Sequence, residues 1–241
     1  MENYSNLNET TQLALNGLQE NGIFILEDFL NPEICDTLSN NVIDTIANID
    51  KTTTKEYDNY IVLDPDDQNR GSNWMDAQQK TVINFRGNHG KEVYDTGFCD
   101  MFNPHLMFDE INKFKNHPLF ENISRAYQKD PNKNYSNIYY NNSITDTRGW
   151  HKDAPMIKLF LYLTDVLTED YGPYSYIPGS HKSDWNIKKI EDYPHDESLR
   201  TKILAPKGTL IGSFQHGFHR GIPQQVGKKR VLFVYKIYLN Q

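Results

Sequence analysis

A small antiparallel β-barrel or sandwich, preceded by helices and folded as one domain, is the architecture this sequence predicts. Three observations carry it. From about residue 134 short apolar runs recur at intervals, rich in Tyr, Phe, Ile, Leu and Val and bounded by Gly, Pro, Asn and Asp, the pattern of short paired strands. Before that point apolar residues recur at three- and four-residue spacing, the helical period. A chain of 241 residues, 37% hydrophobic and 12% aromatic, holds enough apolar material for one sizeable core and argues against disorder. The expected division is a helical part over about 1–130 and a barrel core over about 134–239.

Residues 1–20 read as a short helix carrying Leu13, Leu15 and Leu18. The compact apolar run Gly22–Leu26 follows and reads as a strand. Asn31-Pro32 opens a second helix: a capping side chain precedes a proline whose missing N–H costs nothing in the first turn. Ile34, Leu38, Val42, Ile46 and Ile49 make 32–50 an amphipathic helix. Asn103-Pro104 opens a third, with Met107, Ile111 and Phe114 on one stripe; His117-Pro118 breaks it and 118–128 continues as another. The expected strands are 137–140, 156–163, 174–177, 208–214 and 230–239. Stretches 51–100 and 182–205 lack steady periodicity and read as long loops.

Composition excludes several roles. No run of about 18 apolar residues exists, so no membrane partner is expected. The first twenty residues lack the basic start and apolar stretch of a secretion signal. Two cysteines, Cys35 and Cys99, make no disulfide framework, which fits a reducing, cytoplasmic setting. A net charge of −7 without a Lys/Arg block argues against nucleic acid, whose affinity is mostly phosphate neutralisation. Composition says nothing of oligomeric state.

Among eight histidines, Trp150-His151-Lys152-Asp153 stands out. In an extended segment residues i and i+2 point to the same side, so His151 and Asp153 project together as one imidazole nitrogen and one carboxylate oxygen. A third ligand from a distant strand completes a face of two His and one carboxylate with open positions opposite, the arrangement of non-haem Fe(II) oxygenases. Two candidates, His216 and His219, lie in the segment from Gly208 to Arg230, and geometry read from sequence does not choose between them.

The chain resembles the phytanoyl-CoA dioxygenase-like family of Fe(II)/2-oxoglutarate-dependent oxygenases over roughly residues 21–238. Asn21–Leu30 followed by the Pro32 helix resembles the family's opening strand and helix. Trp150–Asp153 resembles its WHxD, and Gly172-Pro173 to Pro178-Gly179-Ser180-His181 its GP…PGSH turn. In the family the metal His lies about eleven residues after a strand-opening Gly and an Arg about eleven further on. Gly208 plus eleven is His219, and His219 plus eleven is Arg230, which favours His219 over His216. Tyr171 stands where many members have Asn before the Gly-Pro turn.

The resemblance implies a double-stranded β-helix (jelly-roll, cupin-like) core. It implies Fe(II) held by His151, Asp153 and His219, 2-oxoglutarate as cosubstrate with Arg230 on its far carboxylate, and O2 as oxidant. The implied reaction oxidises a C–H bond of a small-molecule substrate, hydroxylation ahead of desaturation or cyclisation, with succinate and CO2 as coproducts. Natural-product, amino-acid or acyl metabolism is the expected setting. Asp153 argues against halogenation, since related halogenases lack this carboxylate. Tyr139 and Asn137, on one face of the strand before the HxD, are further cosubstrate candidates. Arg86, Trp74, Trp150 and Lys158 are candidate substrate contacts; His181 is read as a structural hydrogen-bonder and Cys35 as core. Two other classes fit the same fold: a barrel metalloprotein that does not use 2-oxoglutarate, and a non-catalytic binding or sensing module. The direction of Arg230 discriminates the first of these.

Overall fold

A computed structural model describes residues 6–48, 56, 57, 60–62, 81–85, 98–128 and 134–239. Helix α1 (Leu7–Asn21) is capped by the Asn6 side chain, which accepts from the backbone N–H of Asn8 and Glu9. It stops at Gly22, whose φ of 78° is the left-handed conformation that terminates helices. A Cβ there would also meet His181 Nδ1 at 2.4 Å and Tyr176 Oη at 2.5 Å, so glycine is required twice over. Strand β1 (Ile23–Leu26) leads to α2 (Pro32–Ala47), capped by Asn31 and burying Cys35, Leu38 and Val42. Helices α3 (Asp109–Lys115) and α4 (Pro118–Tyr127) follow four short strands, β2 (Glu56–Tyr57), β3 (Tyr60–Val62), β4 (Val82–Phe85) and β5 (Cys99–Phe102). The His117 ring caps α4 by accepting from Leu119 N–H at 3.2 Å.

Then come β6 (Tyr135–Asn142), β7 (Met156–Tyr162), β8 (Tyr174–Tyr176), β9 (Thr201–Ile203), β10 (Leu210–Phe214), β11 (His219–Gly221) and β12 (Lys229–Tyr238). Nine of these strands form one antiparallel sheet, ordered β1-β10-β7-β12-β6-β5-β4-β3-β2, and β11-β8-β9 form a second. The two sheets face each other as the jelly roll expected, and an antiparallel bridge joins His151, outside the named strands, to His219 of β11.

Alternation along the central strands explains their composition. Leu159 and Leu161 of β7, and Val231, Phe233, Tyr235 and Ile237 of β12, face a core shared with the helices, including Leu18, Leu38 and Phe120. Phe160, Tyr162, Leu232 and Val234, at the intervening positions, face the small sheet and pack with Tyr174, Tyr176 and Ile203. Because both faces are covered, these strands read as near-continuous apolar runs rather than alternating ones.

The structure corrects three expectations. The Asn103-Pro104 helix is only a three-residue 3-10 turn, Pro104–Leu106. Phe108 is extended, with φ −125° and ψ 107°, and plugs the core, so α3 starts at Asp109 and Met107 stays exposed. Stretch 51–100 is not one loop, since β2 to β5 extend the large sheet from it. Segment 182–205 is mostly irregular but ends in β9, which pairs with β8.

Candidate metal centre

The local chain conformation brings three ligand-type side chains together. The His151 N–H donates to the His219 carbonyl at 3.1 Å and the His219 N–H returns the bond at 3.0 Å. The Asp153 N–H donates to the Gln215 carbonyl at 2.8 Å. These bonds fix the HxD segment as an extended edge beside β11, so His151 and Asp153 point the same way. One ligand atom each from His151, Asp153 and His219 lies within 4.8 Å of the others. Asp153 Oδ1 is 3.7 Å from His151 Nε2, and Oδ2 is 3.6 Å from His219 Nε2.

Both rings are held through their other nitrogen. His151 Nδ1 sits 2.8 Å from the Gly149 carbonyl and His219 Nδ1 sits 3.0 Å from the Gly217 carbonyl. A carbonyl only accepts, so each Nδ1 carries the proton and each Nε2 lone pair faces the centre. His151 Nε2 is buried and makes no hydrogen bond. Burial pushes the His151 imidazole down to about 4, and His219 adds to the effect. Burial also lowers His219, against the pull of Asp153. Burial alone would raise the Asp153 carboxyl, but His219 and Lys158 outweigh it and hold the group well below the usual carboxylate range. Neutral imidazoles beside an ionised carboxylate are the states in which these groups bind metal.

A cavity of about 330 Å3 opens from this cluster, and Arg230, 7% exposed, lines it. Asn141, the partner of Arg230 across β6 and β12, lines it too, with Tyr139. Asn137 shares their face but is fully buried and donates to Asp100 at 2.5 Å. Asp100 stands at the wall in its place. Lys158 donates to Asp153 Oδ2 at 2.8 Å; it braces the cluster itself. Trp150 faces a neighbouring cavity instead of the metal cluster. His216 turns aside, its ring 4.9 Å from Phe214. His181 is structural: Nε2 lies 3.3 Å from the Gln19 carbonyl and the ring stacks on Phe214. Trp74 and Arg86 lie outside the described residues.

Sequence reasoning passed over Lys236, Asp100, Arg148, Tyr174 and Gln215, all at the cavity. Lys236 is the Cα partner of Lys158, so two lysines stand side by side on the inner face of the barrel. Lys236 lies over the rings of Tyr135 and Tyr139, 4.7 and 5.1 Å from their centroids, a cation–π setting that lets a buried ammonium persist. The available signal was a lone charge inside an apolar run, which Lys158, Lys236 and Asp100 share. Arg148, 3.9 Å from Asp153 Oδ1, carries no such signal.

The sequence model of one family, phytanoyl-CoA dioxygenase (PhyH), matches residues 18–207. No curated protein matches the chain by sequence. Among solved structures, the epimerase SnoN in complex with Fe3+, alpha-ketoglutarate and nogalamycin RO superposes with a TM-score of 0.61 at 10% identity, covering 96% of this chain and 84% of that one. The carbocyclase SnoK from nogalamycin biosynthesis gives 0.58 at 13%, covering 92% and 81%. HygX from Streptomyces hygroscopicus, with nickel and 2-oxoglutarate bound, gives 0.57 at 10%, covering 92% and 85%. At such identities the likeness is one of fold.

Proposed function

Because the chain belongs to the phytanoyl-CoA dioxygenase family and is a 2-oxoglutarate-dependent non-haem iron enzyme, we propose that His151, Asp153 and His219 hold its Fe(II). We propose further that Arg230 receives the far carboxylate of 2-oxoglutarate, and that the reaction oxidises a C–H bond of a small molecule. One observation carries this: three ligand atoms converge within 4.8 Å, one of them a buried nitrogen that makes no hydrogen bond. Two imidazoles and one carboxylate are the donor set of non-haem Fe(II) oxygenases. Iron(II) with 2-oxoglutarate and O2 supplies the oxidation, with succinate and CO2 as coproducts.

The residues divide the remaining work. His151 and His219 present neutral Nε2 atoms, aimed by the Gly149 and Gly217 carbonyls. Lys158 holds Asp153 through Oδ2 while Oδ1 lies toward His151, so the carboxylate is aimed at the cluster where it would hold the iron. Arg230 offers a permanently charged fork that matches a carboxylate through two parallel hydrogen bonds. Phe160, Tyr174 and Leu232 give part of the cavity wall an apolar surface. The presence of Asp153 supports hydroxylation, desaturation or ring closure over halogenation. The cavity volume lies at the small end for ligand sites, which supports a small-molecule substrate, as does the HygX structure with hygromycin B bound.

Release of labelled CO2 from 1-labelled 2-oxoglutarate tests the reading. We expect release that depends on Fe(II) and is abolished in Asp153→Ala. Release that persists unchanged in that variant would overturn the assignment.

A further inference from the structure

A second cavity, of about 650 Å3, lies over the other face of the three-stranded sheet. Lys202, Ser175 and Arg220 are direct partners across β9, β8 and β11. Direct partners share a face, so an ammonium, a hydroxyl and a guanidinium stand in one row. Arg200, two residues before Lys202, lines the same cavity. It is held in place: its Nε donates to His195 Nε2 at 2.9 Å and its Nη2 is 2.9 Å from Glu197. His195 is itself fixed by the Tyr193 carbonyl, 2.7 Å from Nδ1.

The arrangement is unsatisfied as it stands. Ser175 is 1% exposed and its hydroxyl makes no hydrogen bond, nor does the buried Nε of Arg220. Buried polar groups of this kind are costly unless a partner completes them. The Arg200 and Arg220 guanidiniums both approach the Trp150 ring, 5.9 and 5.2 Å from its centroid. Two like charges therefore converge on one indole, and burial together with Arg200 lowers the Arg220 pKa. Glu191 and Glu197 line the cavity as well, against three cations. The pairs that Arg200 makes with Glu197 and Lys202 with Glu169 are largely exposed on the acidic side, where such pairs are weak and exchangeable.

We propose that this outer cavity binds a phosphate-type oxyanion. Two planar forks, an ammonium and a hydroxyl offer more donors than the two oxygens of a carboxylate accept, and the tetrahedral oxygens of a phosphate match donors that come from several strands. The site lies on the opposite face of β11 from His219, and Arg220 lines both this cavity and the metal cavity.

Calorimetric titration of the full chain with inorganic phosphate, and separately with phenyl phosphate, at fixed ionic strength, tests the site. We expect one phosphate per chain. Arg200→Gln and Lys202→Gln should each weaken it about tenfold, the loss of one charge-assisted contact, with circular dichroism unchanged. Arg125→Gln, on the exposed face of α4, should bind like the parent. Phenyl phosphate binding well above inorganic phosphate marks the anion as the end of an organic ligand; equal affinities mark the free ion. No binding of either, or binding that Arg200→Gln and Lys202→Gln leave unchanged, overturns the proposal. Neither outcome bears on the iron ligands, which are tested by CO2 release.

Discussion

Lys158 shows how much one side chain can set in this barrel. It sits in an apolar strand, 13% exposed, with its ammonium 2.8 Å from Asp153 Oδ2. A partner that orients a ligating carboxylate is worth about 10–100-fold in metal affinity. Lys158→Met should therefore weaken Co(II) or Fe(II) binding by about tenfold or more, read by metal titration of the folded variant; undiminished affinity would show that Lys158 does not orient Asp153. At this scale the pairing of His151 with Asp153 was legible, because period two in an extended segment is simple geometry. The approach of His219 was reached only through the spacings of a resemblance. The side to which Trp150 turns was not legible, since it depends on how β11 and β8 stack beneath it. Nor was the burial of Asn137, which rests on Asp100 from a strand without periodicity of its own.

At the scale of elements, β10 is packed between β1 and β7 with no room to spare. Gly212 is the partner of Phe24 on one side and Leu159 on the other. A Cβ there would lie 2.1 Å from Phe24 Cε1 and 2.9 Å from Leu159 Cδ2. Gly212→Ala should destabilise by about 1–3 kcal/mol through overpacking. That corresponds to a Tm lower by several degrees, at about 2–4 °C per kcal/mol for a chain of this size; an unchanged Tm in calorimetry would contradict the packing. Strands covered on both faces announced themselves as apolar runs. β9, three residues in a charged segment, did not, because its stability comes from pairing with β8 and not from its own sequence. The helix expected from Asn103 failed for a comparable reason: burying Phe108 overrides the helical spacing of Met107.

For the whole molecule, we propose that helices and barrel form one domain, because α1, α2 and α4 bury their apolar residues in the same cluster as the outer face of the large sheet. Thermal unfolding followed by circular dichroism and by tryptophan fluorescence should then give one coincident transition; two separated transitions would divide the chain. The enclosed core also fixes the thiols. Burial, helped by Asp36, pushes Cys35 up to about 12, and burial also raises Cys99. A thiol raised this far is protonated and unreactive at pH 8, so a colorimetric disulfide reagent should titrate neither cysteine in the native chain and both in guanidinium. Among the described residues no helix is long and apolar enough to cross a membrane. The nine-and-three division of strands was not readable from the sequence, because sheet membership is decided by pairing between distant segments such as β1 and β10.

Anaerobic titration of the protein with Fe(II) and 2-oxoglutarate, followed by the weak visible charge-transfer absorption of the complex, tests the central assignment most directly. We expect the band to saturate at one iron per chain, to vanish in His219→Ala and to survive in His216→Ala. A band that survives in His219→Ala, or that only His216→Ala removes, would contradict the proposed iron site.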